Sequence, residues 1–126
     1  RDSFSTSRTI PLFLIASSEW FAFVPAKEYF DEPGDHADEL ETSVMMHYHP
    51  ELVNLDEAGD GNYKKFASQM LNEKVAWIPR NWQKVSQDTG IGNPKKASAR
   101  KGKKYAEAVV AKYALLFEEL VHKELY

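Results

Sequence analysis

Apolar residues follow two patterns along this chain, and each pattern predicts a different kind of element. The run from Ile10 to Ala16 is continuously apolar over the length of one strand, which is typical of a strand buried on both faces of a sheet. Two segments, from about Ala37 to Tyr48 and from about Ala97 to His122, instead carry apolar residues at helical spacing. Apolar strands that alternate with amphipathic helices predict a fold of the α/β class.

The helix predicted over 97–122 is the longest element, and its broad apolar stripe indicates that it covers a sheet. The stripe consists of Tyr105, Val109, Tyr113, Leu116 and Leu120, with Ala106, Val110, Phe117 and Val121 alongside. The spacing sustains no 3.5-residue period, which excludes a coiled coil.

The connections are predicted from short patterns and from turn residues. Short strands are predicted at 52–55 and 75–78, a short helix within 63–72, and a long ordered loop over 82–92. The aromatic-rich connection 21–34 lacks a clean period, and two interpretations stay open for it. It either covers an active site or packs against a partner subunit.

Composition narrows the function classes further. The chain has 126 residues, 43% of them hydrophobic, which is enough for one domain with a core, and its net charge of −3 favours neither nucleic acid nor an anionic membrane. The basic residues between 95 and 104 are predicted to form a solvated face. Cysteine is absent, which excludes disulfides and thiolate chemistry and fits a reducing compartment such as the cytoplasm.

The stretch 33–43 holds the densest group of titratable residues in a position suited to chemistry. A Pro-Gly turn at 33–34 precedes Asp35, which is predicted to cap a helix that begins at about Ala37. His36 is then expected at the positive end of this helix, where the dipole favours a neutral imidazole that can accept a proton. The sequence therefore predicts His36 as a general base, the alternative being a surface residue beside a helix cap.

Glu41 lies more than one helical turn beyond His36. It can share a pocket with His36 only if the backbone at His36 departs from helical geometry. His47 and His49 also suggest a metal pair, but on a helix end their side chains diverge. Interaction with the helix C-terminus is therefore the preferred interpretation for them.

Two motifs in this sequence resemble a known family. The run Gly-Asp-His-Ala-Asp-Glu-Leu-Glu-Thr-Ser at 34–43, followed by Pro-Glu-Leu-Val at 50–53, resembles the His-Ala/Gly-Gly-x-x-Glu-Thr-Ser…Pro-x-Leu-Val signature of the creatininase (creatinine amidohydrolase) family. The run at 90–102 resembles the family's Gly-x-x-Gly-Asp-Pro…Ala-Ser/Thr-Ala-x-x-Gly segment, which leads into its last helix. Together the two motifs cover about the last ninety residues.

The resemblance implies a fold and an assembly. It implies a creatininase-like layered α/β/α sandwich with a mostly parallel sheet, of which residues 1–126 form the C-terminal half of a single domain. The half with the metal ligands is then expected upstream of Arg1, which is not an initiator methionine. The expected partners are this missing N-terminal half, a small-molecule substrate and further copies of the chain, since family members are commonly hexameric.

The resemblance also implies an activity. It implies a metal-dependent hydrolase that cleaves C–N or ring bonds of a small cyclic amide or related polar compound, in the cytoplasm. Two divalent ions, zinc or manganese, are expected in the complete protein, with no metal ligand in this chain, because the family's Glu-x-His pair is missing here. The alternatives are a non-catalytic creatininase-like α/β interaction module and a generic α/β binding domain.

Residue roles follow from the same alignment of motifs. His36 matches the family's catalytic histidine, which shuttles a proton to the leaving atom, and Glu41 matches the glutamate of Glu-Thr-Ser, which supports the pocket. Trp20 matches an aromatic residue near the substrate, the alternative being a half-buried core indole. Asp35, like Trp20 and Glu41, is predicted to bind the substrate or to support the site. Asp38 departs from the family's usual glycine, and its carboxylate is predicted to narrow the pocket or change its polarity.

Overall fold

Every regular element in the described part of the chain is helical. The computed structural model describes residues 23–123. Its α-helices are α1 (Glu39–Tyr48), α2 (Gln69–Asn72), α3 (Trp82–Val85) and α4 (Ala99–His122). Single 3-10 turns lie at Ala26–Glu28, Pro50–Leu52, Leu55–Glu57 and Pro94–Lys96.

The predicted layered α/β/α sandwich with a mostly parallel sheet is wrong for residues 23–123. These residues contain no strand, and their extended pairing is one isolated antiparallel bridge between His36 and Ile91. The predicted strand at 10–16 lies outside the described residues. The α/β class predicted from alternating strands and helices is therefore not the architecture of the part of the chain that the structure describes.

The predictions of two short strands within residues 23–123 are wrong, and for the same reason. The apolar side chains of these segments are not buried. Leu52 is 70% exposed and ends a 3-10 turn that Pro50 begins. Trp77 is 82% exposed, and its segment has no regular structure. A strand gains its stability from pairing and from burial of one face, and neither segment has either.

A small hydrophobic core lies between α1, α4 and the chain near the first 3-10 turn. It consists of Val24, Phe30, Leu40 and Tyr105. Tyr105 is 2% exposed, its hydroxyl donates to the carbonyl of Val24 at 3.2 Å, and its ring meets that of Phe30 at 5.3 Å edge to face. Burial raises the pKa of Tyr105 to about 12. Helix α4 therefore packs on α1 rather than on a sheet.

The first half of α4 takes part in this core, since Ala108 and Val109 also pack against it. Tyr105 and Ala106 are buried, whereas Val110, Phe117 and Val121 are 60%, 56% and 75% exposed among the described residues. The apolar stripe predicted from the sequence therefore exists, and Val110, Phe117 and Val121 are its exposed part within residues 23–123. Four more of its residues, Val109, Tyr113, Leu116 and Leu120, are half-buried. Within that range no helix has the length and apolar character needed to cross a membrane.

The crossing of α1 and α4 depends on very close backbone contact at Gly102. A Cβ atom added at Gly102 would lie 1.9 Å from the carbonyl oxygen of Ser43 in α1. The Ser43 hydroxyl also accepts a hydrogen bond from the backbone N–H of Ser98 at 3.0 Å. Ser98 in turn caps α4, since its hydroxyl accepts from the N–H of Lys101 at 3.3 Å.

A cluster of charged residues joins the start of α1 to the start of α4. Glu39 is fully buried, accepts from the N–H of Glu32 at 2.7 Å and pairs with Lys101. Lys101 also lies 2.8 Å from Asp31, and Lys96 lies 2.6 Å from Glu32. Hydrogen bonding to Lys101 lowers the pKa of Asp31, and hydrogen bonding to Lys96 lowers the pKa of Glu32. The same contacts raise the pKa of both lysines.

These shifts predict a stability window. Asp31 and Glu32 have pKa values below 3.8 and 4.5, so their contribution to the free energy of unfolding is present above those values and is lost as pH falls further. The contributions of Lys96 and Lys101, with pKa values above 10.5, are present below that value and are lost as pH rises further.

We therefore expect Lys96→Gln to destabilise the protein at neutral pH and to reduce its further loss of stability in acid. Urea denaturation of the full-length protein between pH 3 and 7 measures this difference. Lys103→Gln is the control, because its pair with Glu107 is longer, at 3.8 Å, and lies outside this charged cluster. Parallel pH profiles for Lys96→Gln and the parent protein would contradict the expectation.

Candidate active site

The two family-like motifs, distant in sequence, are joined by backbone hydrogen bonds at His36. The N–H of Ile91 donates to the carbonyl of His36 at 2.8 Å, and the N–H of His36 donates to the carbonyl of Ile91 at 3.1 Å. The N–H of Asp35 donates to the same carbonyl at 2.7 Å. Because Ile91 is 3% exposed, these bonds lie away from solvent and fix the backbone of His36.

Gly92 makes this junction possible. Its φ of +129° is a backbone conformation that favours glycine, and a Cβ there would lie 2.6 Å from the Cβ of Asp38. The N–H of Gly92 also donates to the carbonyl of Gly61 at 3.2 Å. A larger residue at Gly92 would therefore push the 90–94 segment off the start of α1.

Helix α1 is capped by Asp38, and the prediction that Asp35 is the cap is wrong. One carboxylate oxygen of Asp38 accepts from the N–H of Glu41 at 2.8 Å, and the other accepts from the N–H of Gly34. Asp38 is 3% exposed, and both of its carboxylate oxygens accept backbone hydrogen bonds at the start of α1. His36 was predicted at the positive end of this helix, and it lies two residues before the cap, outside α1.

A bend at Ala37 brings Glu41 to His36. Ala37 has a φ of +48°, which is uncommon for a residue with a side chain. Its N–H donates to Oε2 of Glu41 at 2.7 Å, and the same oxygen lies 3.7 Å from Nδ1 of His36. This is the departure from helical geometry that the sequence required for these two residues to meet. The His36 side chain is 45% exposed, so its ring is accessible.

Arg80 and Trp82 complete the surroundings of His36, and sequence reasoning assigned neither to the site. The rings of His36 and Trp82 lie 5.0 Å apart between centroids, inclined at 45°. The guanidinium carbon of Arg80 lies 5.5 Å from the centroid of the Trp82 ring, and Arg80 pairs with Asp35. Arg80 and Asp35 are 45 residues apart, and no periodic pattern or motif predicts a contact at that distance.

Two surface clefts lie near these residues. A cleft of about 440 Å³ is bordered by Glu41, and a second of about 620 Å³ is bordered by Asp35 and Arg80. His36 lines neither cleft. Within the described residues its imidazole therefore lies at the surface rather than in a closed cavity.

The described residues do not fit the two-metal centre that the resemblance implies. Within residues 23–123 no group of three or more histidine, aspartate or glutamate side chains is placed to hold a metal ion. Nδ1 of His49 lies 3.2 Å from a carboxylate oxygen of Glu51, while the ring of His47 packs 4.6 Å from that of Tyr48. Trp20, the remaining predicted site residue, lies outside the described residues.

The sequence and the fold are similar to those of known proteins. The family model for creatininase, described as creatinine amidohydrolase, matches residues 8–117. A crystal structure of a "putative creatinine amidohydrolase" from Bacteroides fragilis NCTC 9343 is 60% identical to this chain, with a TM-score of 0.79. The similarity covers 90% of this chain and 46% of that protein, so the chain spans about half of its length. No protein with a curated description matches significantly. Because the family model matches most of the sequence, the chain belongs to the creatininase family.

Proposed function

We propose that this chain is the C-terminal half of a hydrolase that opens a C–N or ring bond of a small cyclic amide or related polar compound, with His36 as the proton shuttle. Membership of the creatininase family supports an amidohydrolase. The similarity to the Bacteroides fragilis protein, whose name carries the same activity, supports the same class.

The observation that carries the proposal is the placement of the His36 imidazole. Its backbone is held by Ile91, its Nδ1 lies 3.7 Å from a carboxylate oxygen of Glu41, and its side chain is 45% exposed. At 3.7 Å, Nδ1 of His36 and Oε2 of Glu41 are too far apart for a hydrogen bond, so Glu41 lies beside the ring without holding its proton tightly. His36 thus has a fixed backbone, an acidic neighbour and a ring that a substrate can reach.

Histidine suits the proton transfer that amide hydrolysis needs. Water adds to the carbonyl carbon, and the C–N bond breaks only when the leaving nitrogen accepts a proton. In the proposed reaction His36 takes a proton from the attacking water and donates it to that nitrogen, which returns the imidazole to its starting state. Glu41 stabilises the imidazolium between the two transfers.

The metal belongs to the proposal through the family resemblance. Two divalent ions, zinc or manganese, held by residues of the N-terminal half, would supply Lewis-acid polarisation and water activation when bound. Residues 23–123 do not fit as a metal site, so none of the steps assigned to His36 and Glu41 depends on metal coordination by them. The N-terminal half, a homo-oligomer and a cytoplasmic location are further parts of the proposal.

A non-catalytic interaction module is the second candidate. The observation that favours it is the exposed part of the apolar stripe of α4, where Phe117 and Val121 are 56% and 75% exposed among the described residues. A stripe of this kind is suited to packing against another protein surface. In this case His36 would be a surface residue beside a helix cap.

Hydrolysis assays on the full-length protein distinguish the two candidates. We expect the protein, stripped with a chelator and reloaded with Zn²⁺ or Mn²⁺, to open the ring of creatinine or of another small cyclic amide, with about two ions bound per chain. Residues 1–126 alone should hold less than one tightly bound ion per chain. Full-length protein with neither metal nor hydrolysis would favour the interaction module, and two ions on residues 1–126 alone would contradict the placement of the metal ligands.

A further inference from the structure

The backbone bridge to Ile91 fixes the position of His36 but leaves its ring free to rotate about two side-chain torsions. A side chain that is 45% exposed is not held by packing on all sides. A proton shuttle must present one ring nitrogen to the reacting atoms, so some contact has to restrict that rotation. Glu41 restricts it on one side, at 3.7 Å from Nδ1.

The indole of Trp82 also lies against the imidazole. The two rings lie 5.0 Å apart between centroids, at an angle of 45°. Trp82 begins α3, which has only four residues and little stability of its own. The position of the indole must therefore depend on contacts outside α3.

Arg80 supplies such a contact. Its guanidinium lies over the Trp82 ring at 5.5 Å and pairs with the carboxylate of Asp35. Since Asp35 immediately precedes His36, the contacts close a ring from Asp35 through Arg80 and Trp82 back to His36. We therefore expect a displacement of Arg80 to move the indole and, with it, the imidazole.

We propose that Trp82 and Arg80 are positioning residues, which hold the His36 imidazole at the orientation needed for proton transfer. The inference rests on the proposed function of His36. Neither residue belongs to the buried core of Val24, Phe30, Leu40 and Tyr105, so their replacement should leave the fold intact. The partly shielded pair of Arg80 and Asp35, at 32% and 46% exposure, adds directional restraint more than stability.

Paired substitutions in the full-length protein test this inference. Trp82→Phe keeps an aromatic face for the imidazole, whereas Trp82→Leu removes it. Arg80→Lys keeps the charge for Asp35 and for the indole, whereas Arg80→Gln removes it. Trp77→Leu and Arg100→Gln are matched controls, since Trp77 is 82% exposed and Arg100 is also solvent-exposed.

Two measurements are made on each variant. The first is the NMR chemical shift of the imidazole C–H groups of His36, whose signals are identified by their loss in His36→Gln. These shifts report on the position of Trp82, because the indole ring current acts on protons of the imidazole 5.0 Å away. The second is kcat and KM for creatinine or whichever cyclic amide the parent protein hydrolyses.

We expect Trp82→Leu and Arg80→Gln to move the His36 signals and to lower kcat on the order of tenfold, with little change in KM. Trp82→Phe and Arg80→Lys should recover most of the loss, and the controls should match the parent protein. His36 signals that do not respond to Trp82→Leu would overturn the inference. So would a loss of activity that only follows a loss of folded protein. If the parent hydrolyses none of the amides, the proposed function fails, while the NMR comparison still decides whether Trp82 and Arg80 hold the ring.

Discussion

Replacement of His36 by alanine in the full-length protein is expected to lower kcat by roughly a hundredfold or more, which is the usual scale of general acid-base catalysis. The reason is that the leaving nitrogen of an amide departs only with a proton, and the His36 imidazole is the group proposed to deliver it. Glu41→Gln should lower kcat by a smaller factor, because it removes the charge that stabilises the imidazolium at 3.7 Å and leaves the base in place.

Metal content and thermal stability separate this effect from a structural one. Both should change little in His36→Ala, since the side chain is 45% exposed and belongs to no group of metal-ligating residues within 23–123. His49→Ala is the matched control, because His49 is also an exposed histidine beside a glutamate. Loss of metal together with activity would make His36 a ligand, and unchanged turnover would make it a surface residue beside a helix cap.

Replacement of Gly102 by alanine adds one methyl group to α4. We expect this methyl group to destabilise the protein more than one added anywhere else on the helix. The new Cβ would lie 1.9 Å from the carbonyl oxygen of Ser43, which is a backbone atom that no side-chain rotation can remove. Helices α1 and α4 would have to separate, at a cost of about 3 kcal/mol or more. The better helix propensity of alanine offsets only about 1 kcal/mol of this.

Urea denaturation of the full-length protein measures the change, with Lys104→Ala as the control. Lys104 is an exposed residue of the same helix, and its replacement should alter the free energy of unfolding by less than about 0.5 kcal/mol. A Gly102→Ala protein as stable as the parent would show that the two helices are not held at this distance.

The long helices were predictable because their signals are local. Apolar residues at helical spacing predicted both α1 and α4, and the structure ends them at Tyr48 and His122, as predicted. Each helix begins two residues later than predicted, at Glu39 and Ala99. At α1 two aspartates, three residues apart, could both cap the helix, and the later one does so, while its other carboxylate oxygen accepts from the N–H of Gly34.

The errors concern packing between distant segments. The short apolar runs near Leu52 and Trp77 looked like strands, but their side chains are exposed and no neighbouring segment pairs with them within residues 23–123. The contacts of Arg80 and Trp82 with Asp35 and His36 were missed because they depend on how the chain folds back, which spacing along the sequence does not encode. The resemblance named His36 and Glu41, whose meeting depends on the φ of +48° at Ala37.

The bridge between His36 and Ile91 also has a consequence for the order in which the protein acquires its structure. The bridge closes a long loop through only a few hydrogen bonds, which are too few to offset the entropy lost on loop closure. The bridge should therefore form only after α1 has packed against α4. We therefore expect the backbone position of His36 to be acquired late in folding and to be lost before the α1 and α4 core opens. The amide protons of His36 and Ile91 should exchange with solvent together and faster than those of the α1 and α4 core, as one small cooperative unit of the molecule.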